Sequence, residues 1–371
     1  MIIILIPLAI LILFFAYNRM FRNNWKNGLE CEVAFEREYV SEGESCLLRE
    51  VLTNRKRLPL LFLQLKFDTD RGLLAPDYPN AAVSDRMYVS DVFSLRPFER
   101  VTRHIEFVCK KRGYYRITDA DLIVTNLFEG KKDYTEVLQN ANLYVYPALL
   151  NTEMLTIPFE HLVGQEQRRS FLFEDPFTFR GVRDYVSTDP MKNLNWKLTA
   201  KTGSLKVNQR DATVSGHVSI FLNLEDPQGL FDTELLEQGI RLAMTMSVML
   251  AADGIGSAVY TNGRDCITGE ASACRSTKTD EDLRLLARVL ARIDLSKERD
   301  PFSQLLDHAA VEFNSADSTC CVISSHVKND TVDSVLGMTA GGGRVIWLCP
   351  TKDRAGRSVN LPGVDFYPMA M

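Results

Sequence analysis

FRGVRDYVSTDPMKNLNWKLTAKTGSLKV, Phe179–Val207, separates two stretches of different pattern in this chain of 371 residues. Within it, Asp189 is placed to cap a helix and Pro190 to open it, where a missing N–H costs nothing. Leu194 and Leu198 then share one face, Lys197 and Lys201 another, and Gly203 supplies a left-handed stop. The spacing predicts a short amphipathic helix, entered from Arg180–Tyr185 and left by a strand at Leu205–Gln209. On local chemistry alone it is a lid whose basic residues are solvated.

Upstream, CEVAFEREYV (31–40), SCLLREVLTN (45–54), LFLQLKFDT (61–69), RVTRHIEFVC (100–109), GYYRITDADLIVTN (113–126) and ANLYVYP (141–147) read as strands. Turn-forming residues part them at 41–44, 54–57, 70–72 and 111–113. So many short strands without a helical period predict an antiparallel β-sandwich of immunoglobulin-like style over residues 28–150. The Cys…Trp…Cys pattern of antibody domains is missing. Residues 151–215 form a polar connecting region that holds the quoted stretch. From 216 to 371, strands at Val218–Leu224, Gly256–Tyr260, Thr319–Ser325 and Val345–Cys349 alternate with helices. The helices fall at Thr233–Ala252, Asp280–Ile293, Pro301–Phe313 and Thr331–Met338, with a hairpin at Cys266–Cys274. That alternation predicts a mainly parallel, doubly wound α/β sheet, and an α+β multidomain chain as a whole.

Met1–Tyr17 is an unbroken apolar run ended by Asn18 and Arg19. As a helix it reaches roughly 25 Å, enough for a thin hydrocarbon core. It lacks both a basic segment ahead of it and a small-x-small cleavage site, so an uncleaved anchor at residues 1–18 is expected. Arg19, Arg22 and Lys26 all follow it, which places the C-terminal domains of a single-pass cell-membrane protein in the cytoplasm. Tyr17 and Trp25 are expected at the membrane interface. A net charge of −5 argues against a general nucleic-acid binder. Eight cysteines show no Cys-x-x-Cys and no zinc spacing, and adjacent Cys320 and Cys321 are expected as buried free thiols.

Arg180, Gly181, Arg183, Tyr185, Asp189, Pro190, Asn195, Trp196, Lys197, Ala200, Lys201, Gly203, Leu205 and Val207 stand in an order that resembles the signature of the domain of unknown function 58 family. That family comprises bacterial membrane-anchored proteins with a von Willebrand factor A-like region. Thr188-Asp189 stands where the family usually has Gly-Asp. The resemblance implies a von Willebrand A-like fold for residues 216–371. It also implies two partners, a MoxR-type AAA+ ATPase and a transglutaminase-like membrane protein. Arg180 and Arg183 are expected to hold acidic groups, Asp184 or Asp189 among them, and Trp196 to be largely buried.

In a doubly wound sheet, ligands bind beyond the carboxyl ends of the strands. The first such end here is Asn223-Leu224-Glu225-Asp226-Pro227. In von Willebrand A domains that position holds Asp-x-Ser-x-Ser, which ligates a divalent cation. Asn223 and Glu225 are still oxygen donors for a hard ion, but the pattern is degraded. A carboxylate-rich loop without metal is the favoured reading, with Ser324, Ser325 and Asp330 expected beside it. The five histidines are scattered, no His-Glu-x-x-His or Gly-x-Ser-x-Gly exists, and Gly341–Gly343 lacks the Lys-Ser/Thr of a phosphate loop. The sequence is therefore read as a non-enzymatic binding or scaffold protein with no cofactor. A metal-dependent enzyme or hydrolase in the α/β domain and an extracellular adhesion protein are the rival readings.

Overall fold

The computed structural model describes residues 2–76, 78–126, 130–172, 174–186, 191, 194–212, 217–226, 233–312, 319–340, 344–352 and 360–370. The chain forms two compact units, Met1–Ala148 and Leu149–Met371, both mixed in secondary structure when taken together as an α/β protein.

The first unit opens with helix α1 (Ile2–Asn24), followed by β1 (Leu29–Phe35), β2 (Tyr39–Ser41), β3 (Ser45–Asn54), β4 (Leu60–Thr69) and β5 (Leu73–Leu74). β6 (Ala81–Val83), β7 (Met87–Leu95), β8 (Arg100–Cys109), β9 (Gly113–Thr125) and β10 (Lys132–Tyr146) complete it. Two sheets result, one ordered β1-β3-β8-β5 and the other β2-β10-β9-β4-β7-β6. All pairings are antiparallel except β2 with β10. Alternation along β3, β7 and β8 sends Leu48, Leu52, Val89, Phe93, Ile105 and Phe107 into one core shared by both sheets. The run read as one strand over 31–40 is two, because the chain bends at Glu36–Glu38 and changes sheet.

The end of α1 is nailed to this unit. Phe21 and Trp25 belong to its core, Asn126 donates to Asn18 Oδ1 at 3.1 Å, and Lys56 donates to the carbonyls of Trp25 and Asn27. Trp25 is thus a core residue at 3% exposure, contrary to the expectation of an interfacial position. Further up the helix the opposite holds: Ile10, Leu11, Ile12, Leu13 and Phe15 are each more than half exposed.

The second unit contains α2 (Thr156–Leu172), β11 (Glu174–Asp184), α3 (Trp196–Thr202) and β12 (Lys206–Ala212). After these come β13 (His217–Leu222), α4 (Thr233–Ala252), β14 (Gly256–Asp265), β15 (Ala271–Thr277), α5 (Asp280–Ala291) and β16 (Ile293–Asp294). The chain closes with α6 (Phe302–Glu312), β17 (Thr319–Ile323), α7 (Asn329–Ala340), β18 (Val345–Thr351) and β19 (Val364–Ala370). β15-β14-β13-β17-β18-β19 form one sheet, in which β14, β13, β17, β18 and β19 run parallel and β15 is an antiparallel edge. β16 adds a short antiparallel pairing to β14.

β13 and β17 are buried at almost every position, as strands covered on both faces must be. Phe221, Val322 and Trp347 face α6 and α7 through Phe302, Leu306, Val335 and Met338. Their neighbours Leu222 and Ile323 face the other way, and a Cβ on Gly239 of α4 would stand 3.3 Å from Leu222 Cδ1. Helices therefore cover both faces. Cys320 and Cys321 are buried thiols outside any disulfide, one in each layer.

Candidate functional site

The strand order reverses at β13. From there the chain crosses to β14 on one side, and later to β17 on the other. Such a reversal leaves a crevice beyond the carboxyl ends of the two central strands, because the following loops diverge. Asn223 follows β13, and its N–H donates to Ile323 O of β17 at 2.8 Å, which draws the two strand ends together.

The side chains of both ends interlock. Asn223 Nδ2 donates to Ser324 Oγ at 3.0 Å and lies 3.4 Å from His326 Nε2. Its Oδ1 accepts from Glu225 N–H at 2.9 Å. Asn262, from the end of β14, accepts the Leu224 N–H and donates to Asp300 O. Glu225 Oε1 accepts from the N–H of Phe302, the first residue of α6, at 2.6 Å. Glu225 Oε2 accepts from Lys328 Nζ at 2.5 Å and lies 3.8 Å from His326 Nε2. Burial by itself would raise the Glu225 pKa. The hydrogen bonds from His326, Lys328 and the Phe302 amide outweigh it and hold the carboxyl at about 2.

Asn223, Glu225 and Ser324 thus converge, and Ser325 joins them through His326 Nδ1 at 3.4 Å. Asp330 does not belong to the cluster; it lies in the first turn of α7, where a negative charge offsets the helix dipole. Pro227 lies outside the described residues. Sequence reading missed Lys328 and His326, which follow β17, and Asn262, which lies within β14, because β14 and β17 are far apart in the chain. As a metal site the donor set fits poorly. Both carboxylate oxygens of Glu225 are already hydrogen-bonded, one to an ammonium and one to a backbone amide, and the Asn223 carbonyl oxygen accepts a backbone amide. A hard divalent ion needs such oxygens free, six or more in the case of calcium.

The quoted signature stretch forms a separate feature of the same unit. β11 and β12 pair as an antiparallel ribbon, with Phe179 opposite Arg210 and Gly181 opposite Gln209. Arg180 is therefore the inserted residue of a bulge. α3 is tied to the ribbon through its cap, Asn195 N–H to Lys206 O, and through Thr199 Oγ1, which accepts from Lys206 N–H, while Tyr185 N–H to Leu205 O extends the ribbon itself.

Several expectations change here. The helix begins at Trp196, and its cap is Asn195, whose side chain accepts from Leu198 N–H. Asp189 and Pro190 lie outside the described residues. Gly203 ends the helix at φ 72°, a backbone that L side chains avoid. Leu194 stands before the helix, bridges to Val207 and is buried, so it does not share a helical face with Leu198. Arg183 reaches the Asp184 carbonyl, while the Asp184 carboxylate is held by Lys206. Trp196 is 64% exposed, which overturns its expected burial. The ribbon buries Leu194 and Val207 instead and leaves Trp196 to solvent.

No protein-family model and no curated protein matches the chain. Among solved structures, the CARDB domain of the PF1109 protein in complex with di-metal ions from Pyrococcus furiosus is 14% identical, over 31% of this chain and 93% of its own, with a TM-score of 0.21. The sporulation control protein Spo0M from Bacillus subtilis is 12% identical, over 43% of this chain and 58% of its own, at 0.20. The full-length major pilin SpaD from Corynebacterium diphtheriae is 12% identical, over 30% of this chain and 33% of its own, at 0.23. At such scores these likenesses carry no argument about fold or activity.

Proposed function

We propose that this chain is a membrane-anchored, non-enzymatic binding protein of the domain of unknown function 58 family, with a von Willebrand A-like second unit. The observation that carries the binding role is the exposure of Trp196 beside exposed Lys197 and Lys201 on α3. Met191, Val186 and Leu205 add exposed apolar side chains to the same stretch. From Met191 to Arg210 the sequence holds Lys192, Lys197, Lys201, Lys206 and Arg210 and no acidic residue, in a chain whose net charge is −5. An exposed aromatic anchor flanked in sequence by cations is what an acidic protein surface selects. By the family resemblance, the partner is a MoxR-type AAA+ ATPase, with a transglutaminase-like membrane protein beside it.

The anchor reading is supported by the contrast between two long helices. α4 is apolar enough to cross a membrane by composition, yet its Leu236, Ile240, Leu242 and Leu250 are buried within its unit. The exposed Ile10–Leu13 and Phe15 of α1 have no such cover. A bilayer would supply it. Arg19, Arg22 and Lys26 then favour cytoplasmic C-terminal domains, which disfavours the extracellular adhesion reading.

Photo-crosslinking from position 197 of the full-length protein in its native membranes tests the binding role. The expected product is an adduct with an AAA+ ATPase subunit that disappears with Trp196→Ala. Persistence of that adduct in the variant, or no ATPase adduct at all, would refute it. A C-terminal phosphatase fusion tests topology separately: activity outside the cytoplasmic membrane would reverse the orientation.

A further inference from the structure

The crevice between β13 and β17 has the position of a divalent-cation site, but not the chemistry of one. The carboxylate of Glu225 is spent on two donors. The Phe302 amide needs Oε1 because the first N–H groups of a helix have no partner inside it. Lys328 places its ammonium 2.5 Å from Oε2, as close as a charge-assisted hydrogen bond permits. Among the described residues, Glu225 is the group that the Lys328 side chain meets. Arg299 adds positive charge close enough to feel Glu225 electrostatically. Asn223, where an acidic ligand would raise the affinity for a cation, is neutral and 2% exposed, and it binds Ser324 and the Glu225 amide.

We infer that Lys328 is the resident cation of this crevice: its tethered ammonium balances Glu225 in place of a divalent ion and keeps metal out. A bound dication would have to displace or sit against that fixed positive charge. Any ligand that docks over the crevice does so without metal. Trp196 and the partner surface play no part in this assignment.

Two features make the assignment testable. Lys328 is partly exposed, at 41% for its side chain, so replacing it need not open a core cavity. Removing it leaves Glu225 Oε2 with His326 Nε2 3.8 Å away, an oxygen and a nitrogen donor of the kind Mn²⁺ accepts. The loss of the ammonium therefore converts an excluded site into a latent one.

The experiment is Mn²⁺ titration of the full-length protein in detergent micelles, with bound ion read by electron paramagnetic resonance. Wild type, Lys328→Arg and Glu225→Gln should bind Mn²⁺ equally, through scattered weak surface carboxylates only. Lys328→Met and Lys328→Gln should each gain an additional site, at least tenfold tighter than that background. The gain should vanish in Lys328→Met/Glu225→Gln. A tight Mn²⁺ site in wild type that is lost in Glu225→Gln would overturn the assignment. So would the absence of any gain in folded Lys328→Met or Lys328→Gln. Should neither Lys328 variant fold, the comparison of wild type with Glu225→Gln still decides whether the native crevice takes metal.

Discussion

Glu225 Oε1 accepts the Phe302 amide hydrogen at 2.6 Å, so a carboxylate leaving the central strand caps the helix that follows two crossovers later. Replacing it with Ala removes the cap and leaves Lys328 unpaired. The expected cost is about 1–3 kcal/mol to the second unit, measured by chemical denaturation. The pH dependence has a definite sign. The folded pKa is held at about 2, below the ordinary 4.5, so the native state binds fewer protons than the unfolded one between these values. Stability from this group is complete above pH 4.5 and is lost as pH falls towards 2. Glu225→Gln should flatten that acid limb. An unchanged acid limb would mean that Glu225 is not strongly paired.

Glu50 is fully buried on β3, where its carboxylate oxygens meet no N–H or hydroxyl donor among the described residues and share a hydrogen bond with Asp91 once Glu50 is protonated. Asp91, equally buried on β7, accepts instead from Tyr78, Asn80 and Arg103. Burial first, and then the Asp91 charge, push Glu50 up to about 8. The folded state therefore holds a proton that the unfolded chain has released. Stability from Glu50 is complete below 4.5, falls as pH rises, and is gone above about 8. The slope approaches about 1.4 kcal/mol per pH unit for one proton. Glu50→Gln should abolish the decline of the first unit's stability between pH 5 and 8, followed by the Tm of that unit.

Trp196→Ala should change stability by no more than about 0.5 kcal/mol, as surface substitutions do. A core tryptophan would cost about 3–5 kcal/mol. Denaturation midpoints of the two proteins distinguish these values. A large loss would place Trp196 in a packed interface within the unit and remove the strongest support for a binding face.

Gly72 faces the hydroxyl of Tyr115, which would lie 1.8 Å from a Cβ there. That hydroxyl donates to Lys111 O at 2.7 Å, and the ring is 5% exposed, so it has little room to yield. Gly72→Ala should destabilise the first unit by about 1–3 kcal/mol. Tyr115→Phe in the same chain should recover part of the loss, because it removes the atom in closest conflict. No recovery would locate the strain in the backbone.

The sequence by itself determined the local elements whose signal is periodic or steric. Val218–Leu222 and Thr319–Ile323 are continuous apolar runs, and they are buried parallel strands. Gly203 stops α3 because the φ of 72° it adopts is strained for any residue with a Cβ. Signals fail where polarity contradicts structure. The first half of β10, KDYTEVLQN, is largely solvent-facing, with Tyr134 and Leu138 among the most exposed side chains, so it carries no apolar period to read. In β7 the inward face holds Asp91, a carboxylate where alternation calls for an apolar residue. α2 is polar along most of its length and looks like a loop.

What only the tertiary structure decided is which groups meet and which side chains the fold covers. Ser324 is expected beside Asn223 from the order of the strands, but Asn262 of β14 and Lys328 after β17 join them from positions that no spacing in the sequence relates. They converge because parallel strands in one sheet end on the same edge, and the order reverses at β13. Trp25 and Trp196 make the same point in opposite directions. Both are large and amphipathic, yet Trp25 joins the core of the first unit, while Trp196 on its short helix is left 64% exposed. Burial is a property of the surroundings, and those are set by contacts far apart in the chain.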